Sequence, residues 1–182
     1  VSIDSGLVFE RRMEWFGRAL TQTLEPRLLY VNTPFRAQSA LPLFDSAAKD
    51  FNFDSVFSDN VFSGIDRVAD LHQVTAGFTT RWLEPATGVE ALRLGLAQRT
   101  LLRDQRITPD GVPLTERLSD LLLVGRANVS ARWAFDAALQ YDVQTDRVSR
   151  SVLGFALGAW ALIAMAIQGR LAGTTDTGRI FF

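Results

Sequence analysis

Three features of the sequence predict an all-β fold of antiparallel, up-and-down strands. Apolar and polar residues alternate with period two over much of the first 150 residues. Several alternating segments exceed the five or six residues usual in a globular strand, and they reach the roughly 9–11 residues that a tilted strand needs to cross a bilayer. Tight turns alternate with long connections, as in transmembrane β-barrels. We therefore expect part of a transmembrane β-barrel with long extracellular loops.

The alternation defines six strands before residue 150. It is clearest in LHQVTAGFTTRWL, where one face carries Val74, Phe78 and Trp82 and the other carries glutamine, threonine and arginine. In the following segment, leucines at every second position alternate with arginine, glycine and alanine. This pattern indicates strands with one apolar and one polar face. The predicted strands cover residues 1–12, 19–31, 71–83, 89–103, 126–132 and 135–144.

The connections between these strands are unequal in length. Tight turns are predicted within RMEWFG (residues 12–17), within EPATG (residues 84–88) and near Arg132, whereas residues 35–70 and 104–118 form long loops. In a barrel the short turns face the periplasm and the long loops face outside. The three tryptophans next to the short turns then form a periplasmic aromatic girdle, since indoles prefer the membrane interface. These residues are Trp15, Trp82 and Trp133.

A soluble β-sandwich is the alternative fold, because its strands alternate in the same way. Such a fold gives no reason for three tryptophans at one end of the strands, and its strands are usually shorter. In the barrel, the polar faces point into the lumen. They carry arginines that either pair with neighbouring carboxylates or bind an anionic amphiphile, whose phosphates suit the guanidinium fork. The predicted lumen-facing arginines are Arg81, Arg93, Arg99, Arg126 and Arg132.

Composition excludes several classes of function. The formal net charge is −1, so the chain lacks the excess of positive charge that collects nucleic-acid phosphates. The absence of cysteine removes disulfides and thiolate metal sites. The sequence has no nucleotide-binding glycine motif, no GxSxG elbow and a single histidine, His72. We expect no enzyme activity, no catalytic residue, no cofactor and no resident metal.

One acidic segment partly resembles the calcium-binding loop of an EF-hand. Asp50, Asn52 and Asp54 occupy the first, third and fifth positions of an EF-hand-like loop. The sixth position is Ser55 instead of glycine and the twelfth is Val61 instead of glutamate, so the EF-hand interpretation fails. An irregular surface contact with calcium or magnesium stays open as a minor alternative.

The same segment carries a family resemblance. Over roughly residues 2–152 the chain resembles the C-terminal barrel region of the lipopolysaccharide-assembly family LptD. The resemblance depends on a strand motif, a short step after it and a long loop signature of unusual composition. The matching pieces are Leu24–Leu28 (LEPRL), Pro34–Gln38 (PFRAQ), Leu41–Ala47 (LPLFDSA), Asp50–Asn52 (DFN), Phe57–Asn60 (FSDN) and Phe62–Arg67 (FSGIDR).

The resemblance implies an outer-membrane translocon of Gram-negative bacteria that inserts lipopolysaccharide into the outer leaflet. It implies three partners: lipopolysaccharide itself, an LptE-like plug lipoprotein inside the barrel, and a periplasmic bridge protein that docks on an N-terminal domain outside this chain. A diffusion pore built on another outer-membrane barrel is the alternative function, since it shares the alternation and the girdle.

In the family, the loop corresponding to residues 35–70 lies on the extracellular side and folds over the lumen. Its phenylalanines can pack on the barrel wall, while its aspartates and asparagines cap backbone groups that lack ladder partners. We therefore expect a packed lid. The predicted lid residues are Phe44, Asp45, Asp50, Phe51, Phe53, Phe57, Asp59, Asn60, Phe62, Asp66 and Arg67.

The end of the chain departs from the family. Residues 152–167, VLGFALGAWALIAMAI, contain no charge and lose the period-two pattern. The run is short of the ~20 apolar residues of a spanning helix. We predict a partial barrel domain over residues 1–152 and an irregular, apolar tail over residues 153–182, produced by a frameshift or a truncation.

Overall fold

The computed structural model describes residues 1–15, 17–38, 40–42, 44–64, 66–130 and 133–157, and the side chains of Ser130 and Leu157 are not included. Every helix or strand element in this part of the chain is a β-strand. No helix formed by the described residues is long and apolar enough to cross a membrane. The strands are β1 (Ser2–Gly6), β2 (Phe9–Trp15), β3 (Arg18–Asn32), β4 (His72–Leu83), β5 (Glu90–Leu101), β6 (Leu121–Ser130), β7 (Trp133–Asp142) and β8 (Arg147–Leu157).

All eight strands belong to one antiparallel sheet. From β3 to β8, each strand pairs with the next one in the chain, while β1 and β2 both pair with β3. The β1–β2 edge and the β8 edge do not pair with each other within the described residues. The predicted class is therefore confirmed: the chain is an all-β, up-and-down sheet, open at both edges as part of a barrel is.

A proline divides the first predicted strand in two. The pairs Gly6–Arg27 and Phe9–Leu24 keep the same register across the gap, so β1 and β2 lie along one line. Between them, the Leu7 amide donates to the Pro26 carbonyl at 3.1 Å. Pro26 has no N–H to donate in return, and the ladder is interrupted at this point.

The turns differ from the prediction in two places. Residues 12–15 still belong to β2, and the turn begins later, with Gly17 at a φ of 70°. A short turn also follows β7, at the end of the sheet where the other connections are long. There the Asp142 carboxylate accepts from the Gln144 amide at 2.8 Å, which closes a local turn and ends the strand before Val143. Sequence periodicity extended that strand too far because Val143 continued the apolar alternation.

The sheet has two different faces. Residues 33–71, here called the lid segment, cover one face, which we call the covered face. The Thr75 hydroxyl on this face donates to the Val56 carbonyl of the lid segment at 3.2 Å. The opposite, open face carries apolar side chains that are between 38% and 63% exposed. They include Leu24, Leu28, Phe78, Leu94, Phe135, Leu153 and Phe155.

The buried core lies between the lid segment and the covered face. One cluster joins Leu29 and Val31 of β3 to Phe62, Leu71 and other residues of the loops. A second cluster joins Val56 to Ala97 and Leu122. Burying a large apolar side chain contributes roughly 1.5–3 kcal/mol, which offsets part of the entropy lost when so long a segment is ordered.

The last described strand passes the predicted domain boundary. β8 continues to Leu157, and Leu153 and Phe155 pair with Ala137 and Phe135 of β7. Residues 158–182, which make up most of the predicted tail, lie outside the described residues. The division into a barrel domain and an irregular tail stays a prediction.

Candidate functional site

The lid segment is fixed to the covered face by an aromatic contact with a glycine. A Cβ added to Gly95 of β5 would lie 2.6 Å from the Cζ of Phe53 and 2.8 Å from a methyl of Val124. The missing side chain therefore lets the Phe53 ring approach the strand closely. Phe57 packs edge-on against Phe53 with ring centroids 6.4 Å apart, and the Arg27 guanidinium lies 4.7 Å from the Phe57 centroid.

Arg99 is the buried anchor of the lid segment. Only 9% of the residue is exposed, and its Nη2 donates to the Val56 carbonyl at 2.8 Å. Its guanidinium lies 5.4 Å from the ring centroid of Phe51. The lid segment thus satisfies one donor of a buried arginine and covers its planar face, an arrangement that suits guanidinium better than ammonium.

An ion pair joins the lid segment to the last described strand. Nη1 of Arg150 in β8 lies 3.0 Å from both carboxylate oxygens of Asp50. Since the side chains are 38% and 63% exposed, water competes with the pair. The contact nevertheless shows that the lid segment extends across the sheet as far as β8.

Asparagine side chains organise the backbone of the lid segment. The Asn52 side-chain oxygen accepts from the amides of Asp54 at 3.0 Å and Ser55 at 2.9 Å, which forms an Asx turn. Asn60 donates to the Arg67 carbonyl at 2.9 Å and accepts from the Ala69 amide at 3.1 Å. These bonds take the place of ladder partners that an irregular segment lacks.

Two aspartates close the outer part of the lid segment. One oxygen of Asp66 accepts from the Asp45 amide at 3.0 Å and from the Phe44 amide at 3.1 Å. These amides stabilise the carboxylate and hold the pKa of Asp66 below its usual value. The hydrogen bond to Asp66, together with its negative charge, raises the pKa of Asp45. The two carboxyls are therefore positioned to share a proton in acid.

Asp70 connects the lid segment to the loop between β5 and β6. The residue is 1% exposed, and its Oδ1 accepts from the amides of Arg106 at 2.9 Å and Ile107 at 2.7 Å. The Arg106 guanidinium also lies 3.9 Å from the ring centroid of Phe35. One buried carboxylate therefore caps both long loops at the same point.

The predicted lid residues differ in exposure. Phe44 does not pack as predicted, because the residue is 83% exposed. Its backbone amide donates a hydrogen bond to Asp66. Asp59 is exposed as well, whereas the Arg67 guanidinium stacks 5.6 Å from the centroid of Phe62. The half-buried or buried members are Phe51, Phe53, Phe57, Asn60, Phe62, Asp66 and Arg67, and the exposed members are Phe44, Asp45, Asp50 and Asp59.

Three of the five predicted lumen-facing arginines form a row on the covered face. Arg81 of β4 stands directly opposite Arg93 of β5, which stands directly opposite Arg126 of β6. Arg99 lies on the same face, beneath the lid segment. Arg132 lies outside the described residues. We call Arg81, Arg93 and Arg126 the arginine row.

Carboxylates flank the arginine row without enclosing it. Glu25 lies 3.2 Å from Arg81, while Glu90 lies 3.8 Å from Arg81 and 3.6 Å from Arg93. Asp136 lies 3.6 Å from Arg126. The three arginine side chains are 40–45% exposed, so these pairs are open to solvent.

A cavity of about 580 Å3 adjoins the row. It lies between the sheet and the lid segment. Apolar and polar groups line it together, so the space suits an amphiphilic or a hydrated polar molecule. Its lining includes Arg81, Arg93, Glu25, Arg27, Thr79, Asp54, Phe53 and Phe57.

The three tryptophans of the predicted girdle lie at one end of the sheet, beside the short connections, and on its open face. Trp15 and Trp82 stack with ring centroids 6.2 Å apart. Trp133 packs on Phe155 at 5.3 Å. The first contact bridges β2 and β4 across β3, and the second joins the paired strands β7 and β8. Both extend the apolar open face to its end.

Within the described residues, no three histidine, cysteine or acidic side chains are grouped closely enough to hold a metal ion. The ring of His72 packs against Tyr30 at the edge of the open face, with Nε2 3.3 Å from the phenol oxygen. The histidine therefore has a structural contact beside the lid segment.

Sequence reasoning missed several of the groups that hold the lid segment. Gly95 interrupts an apolar–polar alternation, and an isolated glycine in a strand is a known signal of close approach. Asp70 and Arg150 carry no comparable local signal. Their partners are 36 and 100 residues away in the chain, so only the folded structure reveals them.

The chain is similar to members of one family of known proteins. Residues 1–159 match the family model LptD, described as LPS transport system D. The chain is 51% identical over 154 residues to an LPS-assembly protein LptD of Polaromonas sp. strain JS666, covering 84% of the chain and 19% of that relative. It is 47% identical over 172 residues to the protein of that name from Albidiferax ferrireducens, and the match covers 92% of the chain and 22% of that relative. It is 48% identical over 161 residues to that of Ralstonia nicotianae, covering 85% and 20%. The chain thus spans about a fifth of the length of these relatives.

Proposed function

Because the chain belongs to the LptD family, we propose that it forms part of an outer-membrane translocon that inserts lipopolysaccharide into the outer leaflet. The family model is described as an LPS transport system, and the relatives are named LPS-assembly proteins. In this proposal the sheet is one section of the barrel wall in the Gram-negative outer membrane, and the lid segment lies over the lumen.

The observation that carries the proposal is the difference between the two faces of the sheet. The open face exposes Phe78, Leu94 and Phe135, which hydrocarbon would accommodate and water would not. The covered face carries the arginine row and its carboxylates, which require a wet environment. A sheet with this polarity fits between lipid and an aqueous channel.

The mechanism we propose is positional and involves no covalent chemistry. The polar face passes the sugar portion of lipopolysaccharide, while the acyl chains reach the bilayer through a gap between strands outside this chain. An LptE-like plug lipoprotein would occupy the barrel interior. A periplasmic bridge protein would deliver the substrate to an N-terminal domain outside this chain.

Controlled depletion of the full-length protein in its native host tests this function. Newly made lipopolysaccharide should fail to reach the cell surface, as measured by pulse labelling and a surface-specific probe. Restored expression of the wild-type protein is the control and should recover surface delivery. Unchanged surface delivery after depletion, together with ion conductance of the purified protein that does not respond to lipopolysaccharide, would support the diffusion-pore alternative instead.

A further inference from the structure

We propose that the arginine row, Arg81, Arg93 and Arg126, is an anion-binding strip that holds phosphate groups carried by the lipopolysaccharide. This inference rests on the proposed function and assigns the substrate contact to three of the arginines on the covered face. Arg27, Arg99 and Arg150 on that face have structural roles.

The first argument is the register of the row. Like charges directly opposite each other on neighbouring strands destabilise a sheet. Here two such oppositions follow one another, between Arg81 and Arg93 and between Arg93 and Arg126. Such departures from the usual pairing rules are expected at functional sites, and here two of them occur side by side.

The second argument is the number of unused donors. Each guanidinium has five N–H groups in a fixed fork. Nε of Arg93 lies 3.6 Å from Glu90, and Nε of Arg126 lies 3.6 Å from Asp136, distances longer than a hydrogen bond. Arg81 is held more closely, since its Nη2 lies 3.2 Å from Glu25. A phosphate group could therefore bind the forks of Arg93 and Arg126 without breaking strong contacts, and at Arg81 it would compete with Glu25.

The third argument is access. Arg81 and Arg93 line the cavity of about 580 Å3, together with Thr79 and Asp54. Arg126 continues the row next to Arg93, with its side chain 45% exposed. Glu25, Glu90 and Asp136 face the same strip, and they balance its charge when no ligand is bound. Exposed ion pairs of this kind contribute little and are easily exchanged.

Three further arginines of the covered face hold the lid segment or a neighbouring strand. Arg99 is buried and holds Val56 and Phe51 of the lid segment. Arg27 donates from Nε to Asp4 at 3.0 Å and stacks on Phe57. Arg150 holds Asp50. The structure therefore separates arginines that position the lid segment from arginines that are free to meet a ligand.

Photo-crosslinking in cells that express the full-length protein tests the strip. A photo-crosslinking amino acid replaces Thr79 next to the row, and in a separate reporter it replaces Leu94 on the open face. Covalent adducts are measured with antibodies to lipopolysaccharide. The test variants are Arg93→Gln, Arg93→Lys and the triple variant R81Q/R93Q/R126Q, and the matched control is Arg18→Gln near the β2–β3 turn. Heat-modifiable migration on gels reports folding of each variant.

The triple variant should lower the adduct at position 79 by about tenfold, as expected for loss of charge-assisted hydrogen bonds. Arg93→Lys should have an intermediate effect, because lysine keeps the charge but loses the fork, and Arg18→Gln should have none. The adduct at position 94 should not respond. Purified wild-type protein mixed with dephosphorylated lipopolysaccharide should show the same decrease in the adduct at position 79 as the triple variant.

Other results overturn the inference. If folded Arg93→Lys and triple variants give wild-type adducts at position 79, the row does not bind the substrate, while the proposed function stands on the depletion experiment. If millimolar inorganic phosphate abolishes the adduct while dephosphorylation of the lipid has no effect, the row binds free anions and the glycolipid assignment fails. If depletion leaves surface delivery unchanged, the proposed function itself fails.

Discussion

The ring of Phe53 in the lid segment rests on Gly95 of β5, where an added Cβ would lie 2.6 Å from its Cζ. The contact explains how an irregular segment rich in phenylalanine can lie flat on a strand. Because Gly95 has no side chain, the Phe53 ring can lie directly against the covered face of β5. A methyl of Val124 in β6 lies beside the same position. The lid segment and the sheet therefore fit each other through specific positions.

The first prediction concerns this fit. Gly95→Ala should displace Phe53 and destabilise the lid segment by about 1–3 kcal/mol, the usual cost of overpacking. The measurement is limited proteolysis of the folded protein in detergent, with cleavage mapped within residues 35–70. Gly125→Ala is the matched control, because its Cβ would meet Leu94 at an ordinary 3.4 Å. Equal cleavage of the two variants would contradict the contact.

Arg99 provides the second prediction. Arg99→Gln removes the hydrogen bond to Val56 and the stacking on Phe51, so docking of the lid segment should weaken by about 1–3 kcal/mol. Arg99→Lys should be nearly as damaging, because ammonium cannot reproduce the planar fork. Hydrogen exchange of the backbone amides in residues 50–58 measures the effect. Full rescue by lysine would show that only the charge matters.

The third prediction concerns Asp50 and Arg150. Because the pair is exposed, a double-mutant cycle with Asp50→Asn and Arg150→Gln should give a coupling of at most about 1 kcal/mol. Its position is tested separately. The chain contains no cysteine, so D50C/R150C introduces the only two thiols of this sequence. A short bismaleimide should join them and alter gel migration, whereas D59C/R150C should react less. More efficient crosslinking of D59C/R150C than of D50C/R150C would show that Asp50 does not lie next to Arg150.

Acid pH should affect the outer part of the lid segment in two opposite ways. The pKa of Asp66 is lowered, so its stabilising effect is fully present above the pKa of an aspartate in the unfolded chain and is lost as pH falls through the folded pKa. The pKa of Asp45 is raised, so its contribution is present below that unfolded value and is lost as pH rises through its own folded pKa. The pair should thus be most stable in mildly acidic solution, with one proton shared.

Substitution tests the two roles at neutral pH. Asp45→Asn keeps a donor toward Asp66 and removes a negative charge, so exchange of the Phe44 amide, corrected for intrinsic rate, should slow. Asp66→Asn removes the charged acceptor of two amides and should accelerate that exchange. A slower rate in Asp66→Asn would rule out the assigned hydrogen bonds.

The last prediction concerns depth in the membrane. Trp15 and Trp82 should be quenched more strongly by lipids brominated near the headgroup than by lipids brominated deep in the acyl chain, because indoles prefer the interface. A tryptophan introduced by Phe78→Trp is the matched control, about 13 Å away from Trp82 along β4 at ~3.3 Å per residue. It should respond more strongly to the deep quencher. Identical quenching at both depths would argue against the girdle.

Much of the fold follows from local pattern. Val74, Phe78 and Trp82 alternate with polar residues, and successive side chains of a strand must point to opposite faces. The composition of both faces could therefore be inferred from the sequence, together with the antiparallel order that short turns require. The LEPRL strand motif and the loop signature of residues 41–67 identified the family in the same way, since they are local strings.

The tertiary structure decided what each polar residue does. Arg93 and Arg99 occupy equivalent positions in the same alternating pattern, yet one faces a cavity and the other is buried under Val56. The difference depends on where the lid segment lies, and that position depends on contacts such as Asp50 with Arg150, which are 100 residues apart. Alternation between neighbours specifies a face, whereas coverage of that face arises only from packing between distant segments.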